Sequence, residues 1–84
     1  MLTPEQSRAA RGLLDWSQQQ LADAAQVGLS TVRDFEKGRR TPVSANLIAI
    51  RSALEAAGVD LLPAGPYKGE GGPGARLRTH SEGR

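Results

Sequence analysis

The sequence predicts a mainly α fold: a compact four-helix domain over residues 1–58, followed by a short C-terminal β-hairpin or a flexible tail. Three observations predict it. Helix-start signatures recur ahead of segments whose apolar residues repeat at helical spacing. Glycines stand where the third and fourth segments should stop. After Gly58 the period shortens to a strict alternation, and the chain becomes rich in Gly and Pro.

Thr3-Pro4-Glu5-Gln6 opens the first helix with an N-cap hydroxyl, a proline at the first helical position and a Gln able to reach back to the cap. Ala9, Ala10, Leu13 and Leu14 carry the period to about residue 14. Asp15-Trp16 separates this helix from Ser17-Gln18-Gln19-Gln20, a second capping pattern. It starts a helix over 18–25 with Leu21, Ala22 and Ala25 inward. Trp16 reads as a core or rim aromatic. Gly28 suits a tight turn or an N-cap. The third helix, about 29–37, places Val32, Phe35 and Glu36 on one face and Leu29, Ser30, Arg33, Asp34 and Lys37 on the other. Gly38 ends it as a left-handed cap, and Arg39-Arg40-Thr41-Pro42 forms a loop. Ser44 is expected to cap a fourth helix that carries Leu47, Ile50, Leu54 and Ala57, closed by Gly58. Val59–Leu62 and Ala75–Arg78 read as two strands of a hairpin spanning 59–78. Its connection, 63–74, is a Gly/Pro-rich loop or an unstructured linker, and 79–84 is a disordered end.

Composition narrows the function. Leu, Ile, Val and Phe make 17 of the 84 residues, near the lower limit for a folded chain, and all but Leu77 lie within residues 1–62. Barrels and doubly wound sheets need far more chain. With no cysteine there is no disulfide, thiolate metal site or thiol nucleophile. The only histidine, His80, lies near the C-terminal end, leaving little for acid–base chemistry. No enzyme, metal or cofactor is expected. Gly69–Gly74 matches G-x-G-x-x-G in letters only, since no βαβ unit fits around it. The start lacks the regions of a signal peptide and no apolar run approaches a membrane span, so a cytoplasmic protein is expected. Net charge is +2, but residues 1–62 hold seven basic and seven acidic groups, while 63–84 hold four and two. A nucleic-acid reading must therefore rest on local charge placement.

That placement is found at residues 18–40. Two short helices joined by a tight turn have helix-turn-helix spacing, with Ala22 small at the crossing and Val27 anchoring the elbow. Val32 and Phe35 fix the second helix and free its outer face for a major groove. Gln20-Leu21-Ala22, Val27, Ser30-Thr31-Val32 and Phe35-Glu36-Lys37-Gly38-Arg39-Arg40-Thr41-Pro42 together resemble the Cro/repressor type (XRE family) of helix-turn-helix transcriptional regulators, over about residues 5–58.

The resemblance implies a lambda-repressor-like domain that binds double-stranded DNA in a bacterium or prophage. It assigns Leu29, Ser30, Arg33 and Asp34 to base-facing positions. Arg33 would pair with guanine and Leu29 would touch a thymine methyl. Gln18, Ser30, Lys37, Arg39 and Arg40 would meet phosphates. Arg11 and Glu36 would form a partly buried ion pair between the first and recognition helices. Asp34 departs from the family pattern: it would accept from a cytosine amine or brace Arg33, and it repels phosphate. A unit this small is expected to bind a near-palindromic operator as a homodimer, with Leu54, Ala57, Val59, Leu61 and Leu77 as interface candidates. The alternative is an antitoxin-like or protein-interaction module that meets a partner protein through 59–78.

Overall fold

A computed structural model describes residues 2–62 and 74–78. The chain forms α1 (Pro4–Leu14), α2 (Gln18–Ala25), α3 (Leu29–Glu36) and α4 (Ser44–Ala56), then strands β1 (Val59–Leu62) and β2 (Gly74–Leu77). The expectations for 63–73 and 79–84, including most of the glycine-rich stretch and His80, lie outside the described residues.

Both capping boxes form. Thr3 Oγ1 accepts from the Gln6 N–H at 3.1 Å, and Gln6 Oε1 accepts from the Thr3 N–H at 3.0 Å. Ser17 and Gln20 repeat the exchange at 3.0 and 2.8 Å. These bonds satisfy donors that a helix start otherwise leaves unpaired. Ser44 does not act as the expected cap. The cap position falls on Val43, whose carbonyl accepts from both Asn46 and Leu47 at 3.0 Å, so α4 begins one residue before its hydroxyl can cap it.

Three helices end in one way. Asp15 (φ 58), Gln26 (φ 59) and Gly38 (φ 74) are left-handed. The N–H of the next residue then folds back: Trp16 to the Arg11 carbonyl at 2.9 Å, Val27 to Ala22 at 3.0 Å, Arg39 to Asp34 at 2.9 Å. This reversal lets α2 and α3 meet across a connection of only three residues, Gln26-Val27-Gly28.

Leu21, Ala22, Val32, Ile50, Leu54 and Val59 are fully buried, with Ala25, Phe35 and Leu47 close to it. Each large aliphatic here contributes about 1.5–3 kcal/mol through burial. Leu14, Trp16 and Val27 pack at the rim of this core. The inward face of α1 differs from the expected one. Ala9 is exposed and Leu13 is 41% exposed, while Gln6, Ser7 and Ala10 are buried. That helix is turned to present polar groups to partners on α3 and the hairpin, which costs it its apolar stripe.

The hairpin is antiparallel, with Val59 opposite Leu77, Asp60 opposite Arg76, Leu61 opposite Ala75 and Leu62 opposite Gly74, so β2 starts one residue earlier than expected. It packs into the helical body. Val59 lies in the core, and Leu61 and Ala75 pack against it. Gln6 Nε2 donates to the Leu62 carbonyl at 2.8 Å and the Gly74 carbonyl at 3.0 Å, tying both strands to α1. Arg78 closes the other end, donating from its N–H to the Gly58 carbonyl at 2.8 Å and from Nε to Asp60 at 2.9 Å.

Candidate nucleic-acid interface

The turn between α2 and α3 fixes which side of α3 faces solvent. Val32, Phe35 and Glu36 are buried; Ser30, Arg33 and Lys37 are exposed; Leu29 and Asp34 are half-buried. Residues four apart on a helix lie one above another, so the outer side carries two ridges. One is Leu29, Arg33 and Lys37; the other is Ser30 and Asp34. Beyond Gly38, Arg39 and Arg40 are exposed in the following loop.

Beneath this surface lies the one buried acid of the helical body, Glu36, 1% exposed. Arg11 Nη2 donates to its Oε1 at 2.7 Å, and Arg11 Nε donates to Oε2 at 2.9 Å. Ser7 Oγ donates to Oε2 at 2.5 Å and Gln18 Nε2 to Oε1 at 3.2 Å. Arg11 Nη1 is itself held by the Trp16 carbonyl at 3.0 Å. A single carboxylate thus ties α1, α2 and the segment before α2 to α3. Burial works to raise its pKa. Hydrogen bonds from Arg11, Ser7 and Gln18, with the Arg11 charge, overcome that and hold the carboxyl below its usual range.

The sign of the consequence follows. A pKa lower in the folded than in the unfolded chain gives stability that is complete above the ordinary glutamate value, about 4.3, and lost as pH falls through the folded value. Urea unfolding should therefore show the wild type losing stability below about pH 4. In Glu36→Gln that part of the acid dependence should vanish; an unchanged acid limb would mean other carboxylates carry it.

Arg11 and Glu36 pair as the resemblance implies. Gln18 was expected at a phosphate, yet one of its amide protons is committed to Glu36. The second remains, so the amide can serve both. Ser7 and Arg8 went unnoticed in the sequence. Arg8 donates through Nη1 to the Glu36 carbonyl, where a cation favours a helix C-terminus. The available signal was their spacing: Ser7 and Arg8 stand four and three residues before Arg11 on α1, so each neighbours it on the helix surface. Two interface candidates are overturned. Leu54 and Val59 are fully buried in the core of the single chain and have no surface to offer. Ala57 and Leu61 are half-buried, and Leu77 is 45% exposed.

The charges segregate. The ion pairs among the described residues are Arg11–Glu36, Arg51–Glu55, Arg76–Asp60 and Arg78–Asp60. Arg33, Lys37, Arg39 and Arg40 enter none of them. With Glu36 neutralised from below, the outer side of α3 and the next loop carry four unpaired cations against one acid, Asp34. Among the described residues no helix is long and apolar enough to cross a membrane, and no three metal-ligating side chains cluster.

A family model described as helix-turn-helix matches residues 8–60. No curated protein matches the chain.

Proposed function

The chain belongs to the helix-turn-helix family of the Cro/repressor (XRE) type, a DNA-binding family; from that premise we propose that it is a sequence-specific transcriptional regulator that binds a near-palindromic operator as a homodimer, in the cytoplasm of a bacterium or a prophage host. The observation that carries this reading is the exposed side of α3 flanked by Arg33, Lys37, Arg39 and Arg40, all without an acid partner among the described residues. Arg33, on the ridge with Leu29, reads a base edge, and a bidentate donor suits guanine O6 and N7. Lys37, Arg39 and Arg40 hold phosphates and set register. Two copies place two recognition helices in successive major grooves, about 34 Å apart on one face of the duplex. Ala57, Leu61 and Leu77 are the apolar candidates left for the contact between copies.

Selection of sites from random duplexes by the purified chain tests this. The expected product is two half-sites in inverted repeat with a fixed spacing. Arg33→Ala should then cost about 1–3 kcal/mol on selected sites and relax one base position, whereas Arg40→Ala should weaken all sequences about equally. Recovery of no sequence at low salt would end the regulator reading.

A second reading, capture of a partner protein through 59–78, is favoured by one observation: Leu77 stands 45% exposed on a strand whose outer edge has no partner among the described residues. It predicts that Leu77→Lys abolishes capture of a partner protein, while Arg33→Ala leaves that capture intact.

A further inference from the structure

Asp34 is the acid that a phosphate-binding surface should not contain, and the structure narrows what it can be for. It braces neither neighbour. Asp34 forms no ion pair with Arg33, Lys37 or Arg40 among the described residues. For Arg33 the reason is geometric, since adjacent residues on a helix point to different sides. Nor is it a passive solvated charge. Half-buried, it lines a cleft of about 210 Å³ between α3 and the start of α4, with Ser30 and Thr31 on its own wall and Arg40, Thr41 and Asn46 across from it. Of the four cations without an acid partner among the described residues, Arg40 lines this cleft. Beside the apolar Pro42 and Val43, the polar groups that share the cleft with Asp34 are hydroxyls, an amide and a guanidinium, all able to donate to backbone oxygens, while a carboxylate only accepts.

Given the proposed DNA-binding function, on which this inference rests, we propose that Asp34 is a base-specificity residue that accepts from the exocyclic amine of a cytosine in each half-site. Within the major groove the only hydrogen-bond donors on base edges are cytosine N4 and adenine N6. Adenine sets an acceptor, N7, beside its amine, which repels a carboxylate and instead favours an amide. Cytosine presents no acceptor of its own there. Phosphate is excluded by charge. The two ridges of α3 are then complementary to G·C pairs: Arg33 supplies donors for a guanine edge, and Asp34 supplies the acceptor for a cytosine one. The same charge that reads cytosine also lowers affinity for every other sequence, so Asp34 sharpens discrimination at the expense of non-specific binding.

The test is site selection by the full chain and by Asp34→Asn and Asp34→Ala, followed by titration of the selected duplex with one cytosine replaced by 2-pyrimidinone, which lacks the amine. The wild type should select cytosine at one position per half-site. Removing the amine there should weaken it about 5- to 150-fold, the range of a good base contact. Asp34→Asn should move the preference at that position from cytosine to adenine, whose N6 and N7 an amide matches. Asp34→Ala should lose the preference, ignore the missing amine and bind random DNA more tightly than the wild type. A merely structural residue would show none of this pattern. Sites selected with the same consensus by all three proteins would overturn the role of Asp34 while leaving the regulator reading intact. Failure of the wild type to select any site would instead remove the reading beneath it.

Discussion

Arg11→Met is expected to destabilise the fold by about 3–5 kcal/mol, because it strands the Glu36 carboxylate in a site where water cannot reach it. Only 1% of Glu36 is exposed, and Arg11 supplies the positive charge that balances it. A domain of this size has roughly 4–12 kcal/mol in total, so the loss is comparable with the whole. Ser7 and Gln18 would still donate, but neither neutralises charge. Lysine is no substitute: its single ammonium cannot reproduce the fork that grips both carboxylate oxygens while holding the Trp16 carbonyl. The decisive comparison is the double variant Arg11→Met/Glu36→Gln. Its amide still accepts from Ser7 and carries no charge, so it should regain at least half of the lost stability in urea unfolding. If the double variant were no more stable than the single one, the packing of the Arg11 stem, not its charge, would be what matters. Because Glu36 is the last residue of α3 and ties that helix to α1, Arg11→Met should also lower DNA affinity at temperatures where it is still folded.

The second large effect is expected in the salt dependence of DNA binding. Three cations per protomer, Lys37, Arg39 and Arg40, are free of acid partners among the described residues and sit beyond the end of α3 or at it. In the proposed dimer they would neutralise about six phosphates, and each would release about 0.9 of a counterion. The logarithm of affinity should therefore fall against the logarithm of salt with a slope near −5, a loss of roughly 10³-fold between 50 and 200 mM. Arg40→Gln removes one contact per protomer and should flatten the slope by about 2, with base preference unchanged. A wild-type slope near −3 would indicate a single protomer on DNA. An unchanged slope in Arg40→Gln would remove Arg40 from the phosphate contacts.

These two effects arise from one arrangement. The charge total of residues 1–62 is balanced, yet the balance is spatial as well as numerical: Glu36 is drawn into the protein and paired, and the cations beside it in sequence are left outside. The network that stabilises the body thereby clears the surface proposed to meet DNA. On that proposal stability and DNA affinity are coupled through α3, and substitutions in the buried network should register in both.

What could be read from the residue order alone were the features that depend on neighbours three or four positions apart. Capping boxes at Thr3 and Ser17, the glycine stop at Gly38, the three-residue turn and the burial of Val32, Phe35 and Glu36 on one side of α3 all follow from local backbone sterics and helical period. Those relations hold wherever the helix is placed. Tertiary structure decided what the residues meet. Ala9 and Leu13 have the right period for a core and face solvent, because the side of α1 that turns inward is chosen by Glu36 and by hairpin carbonyls 56 and 68 residues from Gln6. Leu54 near the end of α4 and Val59 at the start of β1 are interface candidates from the sequence, yet both are buried in the core of the single chain. Gln18 and Asp34 have the same local setting on a helix surface; only long-range packing turns the first inward to a carboxylate and leaves the second in a cleft with no ion pair to it among the described residues. Helical period determines which side chains share a face. The partners that a face finds depend on contacts between segments far apart in the chain, and the energy of a buried charge lies in those contacts.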